Sequence, residues 1–333
     1  MHAHVSVPAV DTLTAGHPGM RAFMEAARQI QGPESVKVSL EMVTGVMPSM
    51  TDAEQRLAHM DASRVDVQVI SVNPMQYHSW APLALAREVV EATHEGITEH
   101  RAQCPERLTG LGVIPLQHPE LTVWALEDAV LKHGFAGVEL PTHAHGVDFS
   151  DERLTPLWKR AEELEALLFV HPMGTTVGER LGKWNLHNTV GQPFEHAIAL
   201  SHLIFGGVLD RHPKLRLLFP HGGGYLPGYL GRSDHAWTVR PDARGCRKTP
   251  SAYLQDVYFD SLVHTADPLH TLIRAAGSSR VLLGTDFPFD MGQPHPVDWL
   301  GSTGLAPEAR EEILEKNAES LGLVPGAQRK GQS

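Results

Sequence analysis

The sequence predicts an α/β protein folded as one (β/α)8 TIM barrel. Short β-rich apolar runs alternate with helix-patterned stretches along most of the 333 residues, and such alternation means parallel strands joined by crossover helices. Counting a first strand at "MHAHV", the apolar runs number eight, which favours a closed barrel over an open doubly wound sheet. A dinucleotide-binding sheet would carry a glycine fingerprint after its first strand, and none stands there.

The elements follow in order. Residues 6–50, polar and containing Pro and Gly, read as a small insertion or lid after the first strand. "TDAEQRLAHMDAS" is a helix capped by Thr51 or Asp52, and "VDVQVISV" (Val65–Val72) is a buried strand. A helix from about Pro82 places Leu83, Ala86, Val90 and Ile97 on one face. "LTGLGVIPL" (Leu108–Leu116) is the third strand, followed by a helix closed at Gly134. "AGVELP", "LLFVHP", "LRLLFPHG", "VYFDS" and "RVLLGTDFP" supply strands four to eight. The stretches between them are helical, as is "APEAREEILEKNAESLG" after the last strand. The whole chain, 1–333, reads as one domain without repeat or linker, and 323–333 as a flexible tail.

Composition narrows the function. A net charge of −11 argues against nucleic acid. No apolar run approaches the ~18 residues of a membrane span, and no signal-like segment opens the chain, so a cytoplasmic protein is expected. Cys104 and Cys246 stand far apart in no metal-ligand spacing and read as free thiols in a reducing compartment. Histidine is the unusual count: 21, against eight lysines.

In a barrel of this kind functional groups gather at the C-terminal strand ends. Those ends carry His2 and His4 on strand 1, His171 on strand 5, His221 on strand 6 and Asp286 on strand 8. Strand 7 ends in Asp260-Ser261 and strand 3 in Pro115-Leu116, which read as lacking this chemistry. In "HAH" the two imidazoles face one side, because alternate residues of a strand do. His171 and Asp286 each close an apolar run, where an ionised carboxylate needs a cation or donors around it. Three neutral imidazoles and one carboxylate make a divalent-metal site, most simply zinc, with manganese the alternative. His221 is then left to serve as acid/base, since its ordinary pKa lies near neutrality. The glycines of "HGGG" let backbone or substrate come close beside it.

"HAH", "VHP", "FPHGGGYLPGYLGRSDHAW", "LLGTDFPF", "MDASRVDVQVISVNP" and "LTGLGVIPLQHPE" together resemble the aminocarboxymuconate-semialdehyde decarboxylase branch of the metal-dependent amidohydrolase superfamily. The likeness runs over nearly the whole chain. It implies zinc held by His2, His4, His171 and Asp286, His221 as catalytic acid/base, and loss of CO2 without an organic cofactor. It also implies that Arg232 binds a substrate carboxylate from a neighbouring subunit, hence a homodimer, and that Trp184 lines the substrate pocket. A surface ion pair for Arg232 and core packing for Trp184 are the alternatives. Binuclear relatives use a strand-4 lysine that "AGVELPTHAHG" lacks, so one metal is expected. His143 and His145 in that loop read as ordinary loop histidines, with substrate contact the alternative.

Two departures stand out. The family's second substrate-binding arginine falls in the insertion after strand 1, where no arginine occurs between Arg28 and Arg56 and Thr44 takes its place. Only Met1 precedes His2, so either the native start lies upstream or strand 1 is cut short. The expected function is a mononuclear, non-oxidative decarboxylase of a small unsaturated or aromatic carboxylic acid. Hydrolysis or hydration at the same site is the runner-up, and a non-catalytic barrel the third reading.

Overall fold

All eight strands join one parallel sheet in the order in which they occur along the chain. They are β1 (Ala3–Val5), β2 (Gln68–Val72), β3 (Leu108–Val113), β4 (Gly137–Pro141), β5 (Leu167–His171), β6 (Arg216–Phe219), β7 (Tyr258–Asp260) and β8 (Val281–Leu282). The computed structural model describes residues 1–326. The ring closes just beyond β8. The His4 amide donates to Phe287 O at 2.7 Å, the Asp286 amide to His2 O at 2.8 Å, and Ala3 bridges Phe287 in parallel. Sequence-neighbouring strands thus pair all the way round, as a closed (β/α)8 barrel requires.

The expected strands form, though several are shorter than their apolar runs. β2 starts at Gln68 rather than Val65, and β3 ends at Val113 rather than Leu116. The insertion is more regular than its composition suggests. It folds into α1 (Pro8–Thr14), α2 (Pro18–Gln31) and α3 (Pro33–Thr51), each beginning with a proline. A proline at the first helical position lacks only an N–H that would have no partner there, so these prolines start helices instead of breaking them. Asp52 then caps α4 (Ala53–Ser63) through the Glu54 and Gln55 amides. Further round come α5 (Leu83–Ala102), α6 (Pro119–Glu127), α7 (Thr155–Glu163) and α8 (Gln192–Phe205), one after each of β2 to β5.

The core divides by the alternation of side chains along each strand. One apolar cluster, with Val138, Leu140, Leu168, Val170 and Leu217 among its members, lies between sheet and helices. A second, of Val69, Leu111, Leu167, Phe169, Leu218 and Leu282, takes its residues from inward positions and fills the barrel. Leu323 belongs to the second cluster, which corrects the expected tail. It is buried, and its carbonyl accepts a hydrogen bond from Thr109 Oγ1 at 2.8 Å. Its leucine side chain covers apolar surface at the barrel's closed end. The rest of the expected tail, from 327 on, lies outside the described residues. No helix among the described residues is long and apolar enough to cross a membrane.

Candidate metal centre

The inward face of the strands turns polar at the C-terminal end. His2 and His4, one pleat apart on and just before β1, point the same way, and His171 ends β5. Asp286 follows β8 on the segment that closes the ring. One ligand atom from each of His2, His4, His171 and Asp286 lies within 4.8 Å of the other three, and all four residues are buried. Asp286 Oδ1 is 3.3 Å from both His2 Nε2 and His4 Nε2.

Hydrogen bonding fixes which nitrogen of each ring faces inward. His2 Nδ1 meets Asp260 Oδ2 at 2.8 Å, His4 Nδ1 meets Val72 O at 3.3 Å, and His171 Nδ1 meets Pro172 O at 2.9 Å. Each outer nitrogen faces an acceptor and so carries the proton, leaving the Nε2 lone pairs toward the centre. All three Nε2 atoms are buried without a hydrogen-bond partner among the described residues. Buried polar atoms are ordinarily paired, so three bare lone pairs beside a carboxylate fit a divalent cation.

The electrostatics agree. Burial disfavours a charged His2, but the Asp286 and Asp260 carboxylates outweigh it and raise its pKa to about 9. His4 and His171 are pushed down, chiefly by burial, and stay neutral as ligands must. Asp286 is held well below the usual carboxylate range: burial opposes its ionisation, and the neighbouring His2 overcomes it. Two buried anions, with His4 and His171 neutral, call for positive charge at this point, which a protonated His2 supplies when no cation is bound.

His221 stands beside the four. Its ring centroid is 5.0 Å from that of His2 and 5.3 Å from that of His171, and its Nε2 is 3.8 Å from Asp286 Oδ2. The backbone around it explains the bare run that follows. His221 has φ 53°, and Gly222, Gly223 and Gly224 have φ 59°, 73° and 67°. A Cβ on Gly222 would come within 2.4 Å of Val263, and one on Gly224 within 2.2 Å of the Pro193 carbonyl. Only glycine fits this left-handed, tightly packed turn. Asp286 and His2 also sit at positive φ, 54° and 69°, a strain that residues accept where the surroundings fix them.

Three residues at the centre escaped the sequence reading. Asp260, expected to lack this chemistry, anchors His2, and its Oδ1 accepts the Gly222 and Leu262 amides at 3.2 and 3.1 Å. That is a correction: a strand tip that looked inert positions a candidate ligand and the glycine turn together. Glu139 on β4 is fully buried among the inward residues, and burial pushes its carboxyl up to about 8, with Tyr77 and Ser71 beside it. His196 on α8 bonds to His221. Inward-facing acids in otherwise apolar strands, as in "GVELP" and "VYFDS", were the available signal for the first two.

The remaining candidates lie farther out. Trp184 is 80% exposed, which excludes core packing. It edges a cleft of about 280 Å3 with Val38 and Met42 of α3, His187, Asp290 and Met291. Arg232 is exposed on the helix Gly231–Val239. Thr44 does not occupy an arginine-like place at the site: it is exposed, and its hydroxyl bonds back to Leu40 O in its own helix at 2.7 Å. His143 Nδ1 lies 3.2 Å from Glu195 Oε2, and the same carboxylate holds Thr175 and Thr176, so this histidine helps tie two loops together. His145 is exposed.

The amidohydrolase family matches residues 1–321. A 2-amino-3-carboxymuconate-6-semialdehyde decarboxylase of Dictyostelium discoideum is 33% identical over 278 residues, covering 82% of this chain and 77% of its own length. Among solved structures, 5-carboxyvanillate decarboxylase from Sphingomonas paucimobilis superposes with a TM-score of 0.81 at 19% identity, covering 97% of each chain. A dihydroxybenzoic acid decarboxylase from Polaromonas sp. JS666, solved with manganese and 2-nitroresorcinol, gives 0.79 at 22% identity and covers 100% of each. With its closed parallel barrel and this relationship, the chain belongs to the amidohydrolase family, in the branch of the aminocarboxymuconate-semialdehyde decarboxylase-like carboxy-lyases.

Proposed function

We propose that this protein removes CO2 non-oxidatively from a small unsaturated or aromatic carboxylic acid, at a site where His2, His4, His171 and Asp286 hold one divalent ion. The observation that carries the reading is the convergence of three unpaired Nε2 atoms and one carboxylate on a single point at the barrel mouth. Three nitrogens and one oxygen suit zinc. Manganese is the alternative, being the ion found in the Polaromonas enzyme. When bound, the ion supplies a Lewis acid that polarises a substrate oxygen.

The chain's own residues would do the rest. Asp260, Val72 O and Pro172 O keep the three ligand rings oriented. His221, within reach of the centre and partly exposed to the mouth, holds the proton that takes the place of the departing carboxylate. The electron pair left by CO2 is accommodated because the carboxylate is attached to a conjugated system, as it is in the substrates named for the relatives. Trp184 would flank the substrate, and Arg232 would meet its anionic group from the second subunit of a homodimer. The two buried free thiols suit a reducing compartment such as the cytoplasm.

The test is a panel of aromatic and muconate-type acids offered to the zinc- and manganese-loaded protein. CO2 release with a stoichiometric proton incorporated at carbon supports decarboxylation. Water uptake without CO2 would replace it with hydrolysis or hydration at the same site. A protein that retains less than about half an equivalent of divalent ion would overturn the ligand assignment.

A further inference from the structure

His196 lies on α8, fully buried, with a single polar contact among the described residues: its Nε2 is 3.1 Å from His221 Nδ1. The rings are tilted at 53° with centroids 5.3 Å apart. The other side of His196 packs against Phe219 of β6, 5.8 Å away between centroids, and its Nδ1 is buried without any partner. His221 has no backbone freedom of its own to spare, since it sits at φ 53° in the glycine turn. Among the described residues, the only side-chain hydrogen bond to its ring is the one with His196.

Between two imidazoles one nitrogen must donate and the other accept. His196 Nδ1 is sealed away from any acceptor. A buried N–H left without a partner is rarer than a buried acceptor left without one, so the proton of neutral His196 belongs on Nε2. From there it donates to His221 Nδ1. The proton of neutral His221 is thereby confined to Nε2, the nitrogen that faces Asp286 and the mouth.

We propose that His196 is a positioning residue that sets both the ring orientation and the tautomer of His221, so that the resting enzyme presents an Nε2–H donor to an anionic oxygen of the substrate. The inference rests on the reading of His221 as the group that meets substrate. It adds an element that the resemblance did not include: the histidine pair is built by α8, and α8 also carries Glu195, which ties the loops after β4 and β5. One helix end therefore fixes three loops around the mouth.

The experiment uses the zinc-loaded protein with 15N-labelled histidine, and compares wild type with His196→Leu and His196→Gln. Long-range 15N–1H correlations report the tautomer of each ring without any need for turnover. His221 is expected as the Nε2–H tautomer in wild type, as a mixture in His196→Leu, and as Nε2–H again in His196→Gln, whose amide can donate from the same place. Where a substrate has been found, kcat should fall by about 10–100-fold in His196→Leu, the scale seen when a hydrogen bond orienting a functional histidine is removed. Zinc content should not change, and His196→Gln should recover most of the loss. An Nδ1–H tautomer of His221 in wild type overturns the proposal even if the leucine variant fails to fold, as does a leucine variant with unaltered tautomer and kcat. If no acid on the panel is decarboxylated, the proposed reaction fails, while the tautomer measurement still decides the role of His196.

Discussion

At the barrel mouth, His2, His4, His171 and Asp286 bring ligand atoms within 4.8 Å of one another, and on the outer wall His94, Asp128 and His133 do the same. Residue types and spacing hardly separate the two groups, but their hydrogen bonds do. On the outer wall, His94 Nε2 accepts the Val113 amide at 3.0 Å and its Nδ1 meets Asp128 Oδ2 at 2.7 Å. His133 Nδ1 meets the Thr98 hydroxyl at 2.8 Å, and its Nε2 lies 3.4 Å from Asp128. Lys132, 3.3 Å from the other oxygen of Asp128, already brings a cation. Asp128 is held down to about 2, first by the hydrogen bond from His94. This group is a cross-brace between α5, β3 and the turn after α6, and His94 spends both nitrogens on it.

At the mouth each ring spends only its outer nitrogen. A metal site is therefore marked by what its donors leave unpaired, since proximity alone is shared by both clusters. Burying a lone pair with nothing to meet it costs about 1–3 kcal/mol, and three such costs at one point persist where a ligand repays them.

The contrast can be broken most sharply at the ligands. His171→Ala should drop bound zinc below half an equivalent by elemental analysis and reduce turnover by about 1,000-fold or more. A variant that keeps its metal would show that the mouth cluster binds no ion through this residue. His221→Ala should retain a full equivalent of metal and lose about 100–10,000-fold in kcat, the range for a general acid–base group. Unimpaired turnover would remove His221 from the mechanism.

On the outer wall the expectation reverses. His94→Ala should leave metal stoichiometry unchanged and lower unfolding stability by about 2–3 kcal/mol in a denaturant titration, because the Val113 amide and Asp128 both lose their partner. A loss of one metal equivalent there would abolish the distinction. The smallest effect concerns another buried histidine, His100, whose Nε2 accepts from Arg56 Nε at 3.1 Å. Burial first, and the nearby Arg56 second, lower its pKa to about 4, while Asp52 opposes them weakly. The neutral ring is native, so only the unfolded chain takes up this proton between its ordinary value near ~6.5 and ~4. Stability should be unaffected above ~6.5 and fall as pH drops, by about 2 kcal/mol at pH 5. His100→Gln should flatten that part of the pH–stability curve, and an unchanged slope would show that His100 titrates freely.

Much of this was legible before any coordinates. Apolar runs of strand length between helical patterns gave the barrel, because burial on both faces of a parallel strand writes itself as a continuous apolar stretch. His171 and Asp286 were visible as polar ends to such stretches. Asp260 and Glu139 were less so: a single acid in a strand gives no sign of whether it faces helix or lumen until the register is known. The helices of the insertion were not legible for a different reason. Pro8, Pro18 and Pro33 look like breakers in a linear reading and become helix starts only when the chain can be seen turning before each.

By itself, then, the order of residues determined the kind of barrel and nominated the side chains with the chemistry to hold an ion, since periodicity and residue type are properties of the chain. Tertiary structure alone decided which nitrogen of each ring is spent and which is left bare, that Asp260 and His196 stand behind His2 and His221, and that His94 on the outer wall has both nitrogens engaged. Hydrogen-bond partners hundreds of residues apart are set by packing, and no local pattern records them.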